Sequence, residues 1–216
     1  MLIALAQINP TAGALRPNAA RIKEFFHKAR QEGADLVVFP EMALTGSPPQ
    51  DLLLYGSFAA AAEALMEQEL APLTASPAPA MLLGTCRRLQ GRLCNAALLL
   101  KKGRVEAAYP KAVLEQRAPF QECSYFSRGG QASYERWGEL MAAVAVGEGA
   151  LRPEHRPLLP QPCGTAEEKR LLIIPAASSY RFGGQARREQ EAAALAREQR
   201  CALLLVNLVG GSDELV

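Results

Sequence analysis

Apolar and polar residues alternate along the chain in blocks that predict strands and helices in turn. Residues 36–39 form a short apolar run that is rich in β-branched side chains and ends at Pro40, which is typical of a buried strand. In residues 17–33, apolar side chains recur at offsets of three, four and seven, which predicts a helix that Gly33 can end. The first 39 residues are therefore predicted to form a β-α-β unit.

The same alternation continues to the end of the chain. The patterns predict helices over 55–70 and 184–200, strands over 81–86, 140–146, 171–175 and 201–209, a hairpin of 94–100 with 104–109, and irregular loops over 112–130 and 150–165. A length of 216 residues suits one sizeable core and is too short for two. We therefore predict a single α/β domain over residues 1–216, with no separate ATP-binding domain.

Polar groups that could carry chemistry follow several predicted strands. Glu41 follows the 36–39 strand, Lys111 follows the hairpin, Glu122 lies in the next loop, and the Gly147-Glu148-Gly149 turn follows a later strand. A carboxylate base beside an ammonium group, with a nucleophile on a sharp turn, would make an acyl-transfer site. Glu41 and Lys111 could equally persist as a buried ion pair, and Glu122 could be a solvated loop acid.

Composition excludes several classes of partner. The net charge is +2, charged residues make up 21%, and the basic residues are scattered, so we expect no nucleic-acid binding. The N-terminus lacks the basic region of a signal peptide, and no apolar run approaches the ~20 residues of a membrane span. Five widely spaced cysteines without a CxxC pair, and only two histidines, predict a cytoplasmic protein without a metal or other cofactor.

Six stretches of the chain, taken in order, resemble one family. Residues 40–54 read PEMALTGSPPQDLLL and resemble the PE-x-A-LTGYPPEDLLL stretch in the N-terminal glutaminase domain of glutamine-dependent NAD synthetases. That domain belongs to the nitrilase, or carbon–nitrogen hydrolase, superfamily. Further likeness lies in residues 1–13, 94–97, 109–111 with 120–122, 178–180 and 206–215.

The resemblance implies a fold and a set of roles. The fold would be an α-β-β-α sandwich that assembles as a homo-oligomer. Glu41 would match the catalytic base, Lys111 the catalytic lysine and Glu122 the second glutamate, and Ser178 would match a contact to the glutamine substrate. The activity would be hydrolysis of glutamine, or of another small amide, to supply ammonia to a synthetase domain or subunit that amidates deamido-NAD.

The departures from the family pattern fall in the same predicted pocket. Gly147 stands where the nucleophilic cysteine is expected, and although Glu148 keeps the next acid, Gly149 replaces the aspartate after it. Two further substrate-contact positions are Arg117, where a tyrosine is expected, and Gly184, where a lysine or arginine is expected. Glycine has no side chain that could form a thioester, so the sequence predicts that thiol-dependent hydrolysis is impaired.

Alternatives remain open from the sequence. Cys163, in a proline-rich loop, could supply the missing thiol, although we favour a plain exposed cysteine. Ser178 could be a turn-forming hydroxyl rather than a substrate contact. The domain could be a non-catalytic binding, regulatory or assembly domain. Because further strands follow in the resembled domain, we also expect either a longer protein or a sandwich that lacks its C-terminal strands and has open sheet edges.

Overall fold

Helices and strands follow one another along the chain much as the hydrophobic pattern predicts. The computed structural model of the protein describes residues 1–116, 120–161 and 168–211. The helices are α1 (Leu15–Gln31), α2 (Gly56–Leu65) and α3 (Gly184–Gln199). The strands are β1 (Ile3–Leu5), β2 (Leu36–Val38), β3 (Ala80–Leu89), β4 (Arg92–Lys101), β5 (Arg104–Pro110), β6 (Glu135–Trp137), β7 (Leu140–Val144), β8 (Arg170–Ala176) and β9 (Ala202–Asn207).

The strands form two sheets. The first has the order β1-β2-β3-β4-β5, in which β1 to β3 are parallel and β3 to β5 are joined as antiparallel neighbours. The second has the order β6-β7-β8-β9, in which β6 pairs antiparallel with β7 and the rest are parallel. Neighbouring parallel strands need a crossover connection. Helix α1 connects β1 to β2, and helix α3 connects β8 to β9.

The two sheets pack face to face between layers of helix. Leu82 and Leu99 of the first sheet and Val144 and Ile173 of the second belong to one buried cluster between the sheets. A second cluster joins the outer face of the first sheet to α1 and α2, and a third joins the outer face of the second sheet to α3 through Leu195. The α-β-β-α layering that the resemblance implies is therefore confirmed.

The differences from the predicted elements are local. The short strand β6 was not predicted, because only three residues pair and their side chains are mostly exposed. Strand β3 continues past the predicted end at residue 86 to form a hairpin with β4 around Gln90–Gly91. Helix α2 ends at Leu65, and the predicted remainder, Met66–Leu70, is a wider π-helical turn. The predicted loop over 150–165 contains a 3₁₀ segment, Pro153–Leu158.

Candidate functional site

Glu41 is held where β2 leaves the first sheet. The chain turns directly after Phe39, whose backbone N–H donates to the Leu82 carbonyl at 2.8 Å. Gly84 makes this turn possible, because a Cβ at that position would lie 2.1 Å from the Pro40 carbonyl oxygen and 2.6 Å from the Glu41 Cα. The Glu41 side chain is consequently buried, with 3% of the residue exposed.

Lys111 enters the same region from the end of β5. Its backbone N–H donates to the Asn95 carbonyl at 2.8 Å, and its carbonyl accepts from the Gly129 N–H at 2.8 Å. The ammonium Nζ lies 2.7 Å from Glu41 Oε1 and 2.8 Å from Glu122 Oε2. The structure therefore brings together the three predicted residues Glu41, Lys111 and Glu122, although 70 residues separate the first two along the chain.

Asn95 completes this cluster and was given no role from the sequence. Its side-chain Nδ2 donates to Glu41 Oε1 at 2.7 Å and to Glu122 Oε1 at 2.8 Å, and the residue is 1% exposed. The second oxygens of the carboxylates are also bound: Glu122 Oε2 accepts from the Glu115 N–H at 2.9 Å, and Glu41 Oε2 from the Ala177 N–H at 3.1 Å. A single buried amide in an otherwise apolar strand was the signal available in the sequence.

The cluster holds two carboxylates and one ammonium group in a buried setting. Burial raises the pKa of Glu41, and although Lys111 opposes this effect, the charge of Glu122 adds to it. Burial alone would lower the pKa of Lys111, but the two carboxylates outweigh it and raise the pKa above the usual range of a lysine. The two carboxylates therefore hold Lys111 in its charged form.

Gly147 lies directly beside this cluster. It follows β7 with φ of 89° and ψ of 150°, a backbone region that is essentially restricted to glycine. A Cβ built on it would lie 2.9 Å from Lys111 Nζ and 3.5 Å from Glu41 Oε2. Residue 147 is thus a position from which a side chain would meet both Glu41 and Lys111, and it carries none.

A cavity of about 650 Å³ is lined by Leu205 and Asn207 of β9 and by Ala177, whose N–H donates to Glu41 Oε2. Ser178 contributes to its lining, and the Ser178 Oγ is buried without a hydrogen-bond partner among the described residues. The Ser178 backbone is held by Asn207, which accepts from its N–H at 2.7 Å and donates to its carbonyl at 2.9 Å. Glu41, Lys111 and Gly147 are not among the described residues that line this cavity.

Gly184 is the other predicted substrate-contact position that the structure describes. Gly184 begins α3 and does not line the cavity, but Arg188, one helical turn later, does. Arg188 was not predicted from the sequence; its Nη1 lies 3.5 Å from Glu148 Oε2, and 18% of its side chain is exposed. The predictions for Arg117 and Cys163 concern residues that lie outside the described part of the chain.

The described part of the chain shows neither a metal-binding cluster nor a membrane-spanning helix. Within residues 1–116, 120–161 and 168–211, no group of three or more His, Cys, Asp or Glu side chains is arranged to hold a metal ion. Over the same ranges, no helix is both long enough and apolar enough to span a bilayer.

The fold and the position of this cluster agree with a family assignment. The family model described as carbon-nitrogen hydrolase matches residues 2–216, and the chain belongs to that family.

The resemblance to glutamine-dependent NAD synthetases is also confirmed by particular relatives. The chain is 37% identical to the glutamine-dependent NAD(+) synthetase of Xylella fastidiosa over 218 residues, which cover 99% of this chain and 38% of that protein. It is 32% identical to the synthetase of Synechocystis sp. over 232 residues, which cover 99% of this chain and 40% of that protein. The chain therefore spans about two fifths of the length of these curated relatives.

Solved structures share the fold. A glutamine-dependent NAD+ synthetase from Acinetobacter baumannii, in complex with ADP, superposes with a TM-score of 0.84 at 24% identity and covers 99% of this chain and 39% of that one. An amidase from Nesterenkonia sp. superposes with a TM-score of 0.82 at 21% identity and covers 99% of this chain and 78% of that one. At these identities the likeness establishes the fold alone.

Proposed function

We propose that this chain is a glutaminase-type domain of the glutamine-dependent NAD synthetase lineage that no longer hydrolyses glutamine through a thiol. The observation that carries the proposal is the position of Gly147, whose Cα faces Lys111 Nζ and Glu41 Oε2 without a side chain between them. A base and an oxyanion-stabilising cation accelerate acyl transfer only when a nucleophile stands between them. The site retains Glu41 as the base and Lys111 as the cation, but residue 147 carries no nucleophile.

The cluster is instead suited to a structural role. Every carboxylate oxygen in it has at least one partner, and the ammonium group contacts both carboxylates. Removing one member of such a buried pair typically costs about 3–5 kcal/mol, because the other charge is left uncompensated. This cost explains why Glu41 and Lys111 would be retained after hydrolysis is lost.

The experiment that tests the proposal is an ammonia assay. Purified chain is incubated with glutamine, and ammonia release is compared with that of the Xylella fastidiosa synthetase under identical conditions. We expect no release above the buffer blank from this chain. Release that disappears in Cys163→Ala would contradict the proposal, because it would identify Cys163 as the nucleophile; Cys123→Ala, in an exposed cysteine next to Glu122, is the matched control.

In a protein or complex that includes a synthetase domain, we propose that this domain serves assembly and that ammonia comes from solution. NAD formation by such an assembly would then respond to added ammonium and not to added glutamine. We further propose that the domain forms homo-oligomers, which sedimentation of the purified chain would test. A rate that rises with glutamine would contradict the assembly role.

A second candidate function is binding of a small amide or amino acid without hydrolysis. The observation that favours it is the cavity of about 650 Å³, which is large enough for a ligand. Ser178 and Arg188 both line it, and Arg188, whose Nη1 lies 3.5 Å from Glu148 Oε2, brings a positive charge to the wall. A ligand that carries a carboxylate would pair with the Arg188 guanidinium.

Calorimetric titration with glutamine tests this candidate. If glutamine binds with its carboxylate on Arg188, Arg188→Ala is expected to weaken binding roughly 12- to 160-fold, which corresponds to the loss of one hydrogen bond to a charged group. Arg188→Ala should weaken binding more than Arg187→Ala, because Arg187 pairs with Glu191 on the solvent side and does not line the cavity. Absence of heat from glutamine at millimolar concentration would contradict this candidate.

A further inference from the structure

The end of the Lys111 side chain lies in the space that a side chain at residue 147 would enter. A Cβ built at residue 147 would lie 2.6 Å from Lys111 Cε and 2.9 Å from Lys111 Nζ. Carbon atoms in ordinary contact are separated by about 3.5 Å, so Cε would have to retreat by roughly 0.9 Å to admit a side chain. We infer that Lys111 fills the space that any side chain at position 147 needs, so that the nucleophile position is closed by the lysine of the site.

Residue 147 has little freedom to move away from the lysine. Its backbone N–H donates to the Pro175 carbonyl at 2.8 Å, and its carbonyl accepts from the Ala150 N–H at 3.1 Å. Two residues earlier, the Ala145 N–H donates to the Ile173 carbonyl at 3.0 Å. The backbone of residues 145–147 is therefore hydrogen-bonded to β8, and a displacement of residue 147 would break these bonds.

Lys111 is equally restrained. The end of a lysine on the surface would swing into water at little cost, but Lys111 is only 6% exposed. Its ammonium group is held between two carboxylates at 2.7 and 2.8 Å. A retreat of Cε would lengthen at least one of these buried ion pairs, and unpaired buried charges are costly.

The inference deepens the proposed function, and its meaning for catalysis depends on that proposal. If the domain has lost thiol chemistry, the loss involves more than the absent cysteine sulfur. The Lys111 side chain also occupies the space that a side chain at residue 147 would need. Restoring a side chain at position 147 then requires Lys111 to be displaced, and one substitution alone is not expected to rebuild the site.

Thermal unfolding of Gly147→Ala tests the contact, with Gly33→Ala as the matched control. Both glycines have positive φ, of 89° and 76°, but a Cβ at Gly33 meets no atom within 4 Å. Overpacking typically shifts the Tm of a chain of this size by roughly 2–12 °C. We expect Gly147→Ala to lower Tm by that amount beyond the effect of Gly33→Ala, and equal shifts would overturn the inference.

A double-mutant cycle separates the contact with Lys111 from backbone strain at residue 147. Strain is independent of Lys111, so it would persist in a Lys111→Ala background, whereas the contact would vanish. We expect Gly147→Ala to cost less in Tm in that background than in the unsubstituted protein. Additive shifts would overturn the inference.

A crystal structure of Gly147→Ala provides a readout that does not need the Lys111→Ala protein to fold. We expect Lys111 Nζ to have moved beyond hydrogen-bond distance of Glu41 or Glu122. An ammonium group that keeps both contacts beside the new methyl group would overturn the inference. Ammonia release by the unsubstituted protein, in contrast, would refute the proposed function and leave the packing of Lys111 untouched.

Discussion

Replacing Lys111 with methionine should destabilise the protein strongly. Lys111→Met keeps an unbranched apolar side chain of similar length but removes the charge. It leaves Glu41 and Glu122, which are 3% and 8% exposed, facing one another without a cation. The two carboxylates would then share a buried site, an arrangement that proteins relieve by taking up a proton or by unfolding.

The magnitude follows from the burial of the pair. Loss of one partner of a buried ion pair typically costs about 3–5 kcal/mol, and each kcal/mol lowers Tm by about 2–4 °C in a domain of this size. Lys111→Met should therefore lower Tm by roughly 6–20 °C. Glu122→Gln should cost less, because it leaves one ammonium group facing one carboxylate, Glu41.

Circular dichroism during heating measures these shifts, and Lys28→Met is the matched control. Lys28 pairs with Glu24 on the surface of α1, where 65% and 58% of the two side chains are exposed. Surface pairs contribute little, so its Tm should remain within about 2 °C of that of the unsubstituted protein. Equal shifts for Lys111→Met and Lys28→Met would refute a structural role for the buried cluster.

Three further predictions concern the same interior. The raised pKa of Lys111 means that the native state keeps a proton that the unfolded chain releases above pH 10.5, so the free energy of unfolding should fall as pH rises past that value. Urea unfolding should show this slope, and an identical slope in Lys111→Met would contradict it. Asn95→Asp adds a third carboxylate to the cluster and should cost about 3 kcal/mol or more by urea unfolding, so an unchanged midpoint would contradict the hydrogen-bond assignment. Burial raises the pKa of Cys86 to about 12, so peptide mapping after thiol labelling should find it unmodified while exposed Cys123 reacts, and equal labelling of the two would contradict the packing of β3.

The sequence pattern predicts the order of helices and strands because each element buries one face. That burial sets the spacing of apolar residues along the element. Residues Ile22 and Phe26 lie on one face of α1 and are fully buried, as their spacing predicts. The pattern could not predict the extension of β3 through Arg87 and Arg88, because strand pairing beyond the core is set by backbone hydrogen bonds with β4 and not by side-chain hydrophobicity. Strand β6 could not be predicted either, because its side chains are mostly exposed and show no hydrophobic pattern.

The candidate site could be predicted only in part. Their places after predicted strands, and then the resemblance, pointed to Glu41, Lys111 and Gly147, but nothing in their spacing specifies how the side chains meet. The approach of Lys111 to residue 147 depends on the packing of the first sheet against the second, which sequence periodicity does not encode. Arg188 was missed because it lies a full helical turn after the position that the motif pointed to.

Intact-mass spectrometry after incubation with glutamine tests the central claim most directly. The claim is that this site holds a base and a cation but no group that can form a covalent acyl intermediate. It predicts a mass equal to that of the untreated protein, while an active glutamine-dependent NAD synthetase gains a γ-glutamyl adduct under the same conditions. A γ-glutamyl adduct on this chain, traced by peptide mapping to a cysteine and lost when that cysteine is changed to alanine, would contradict the account.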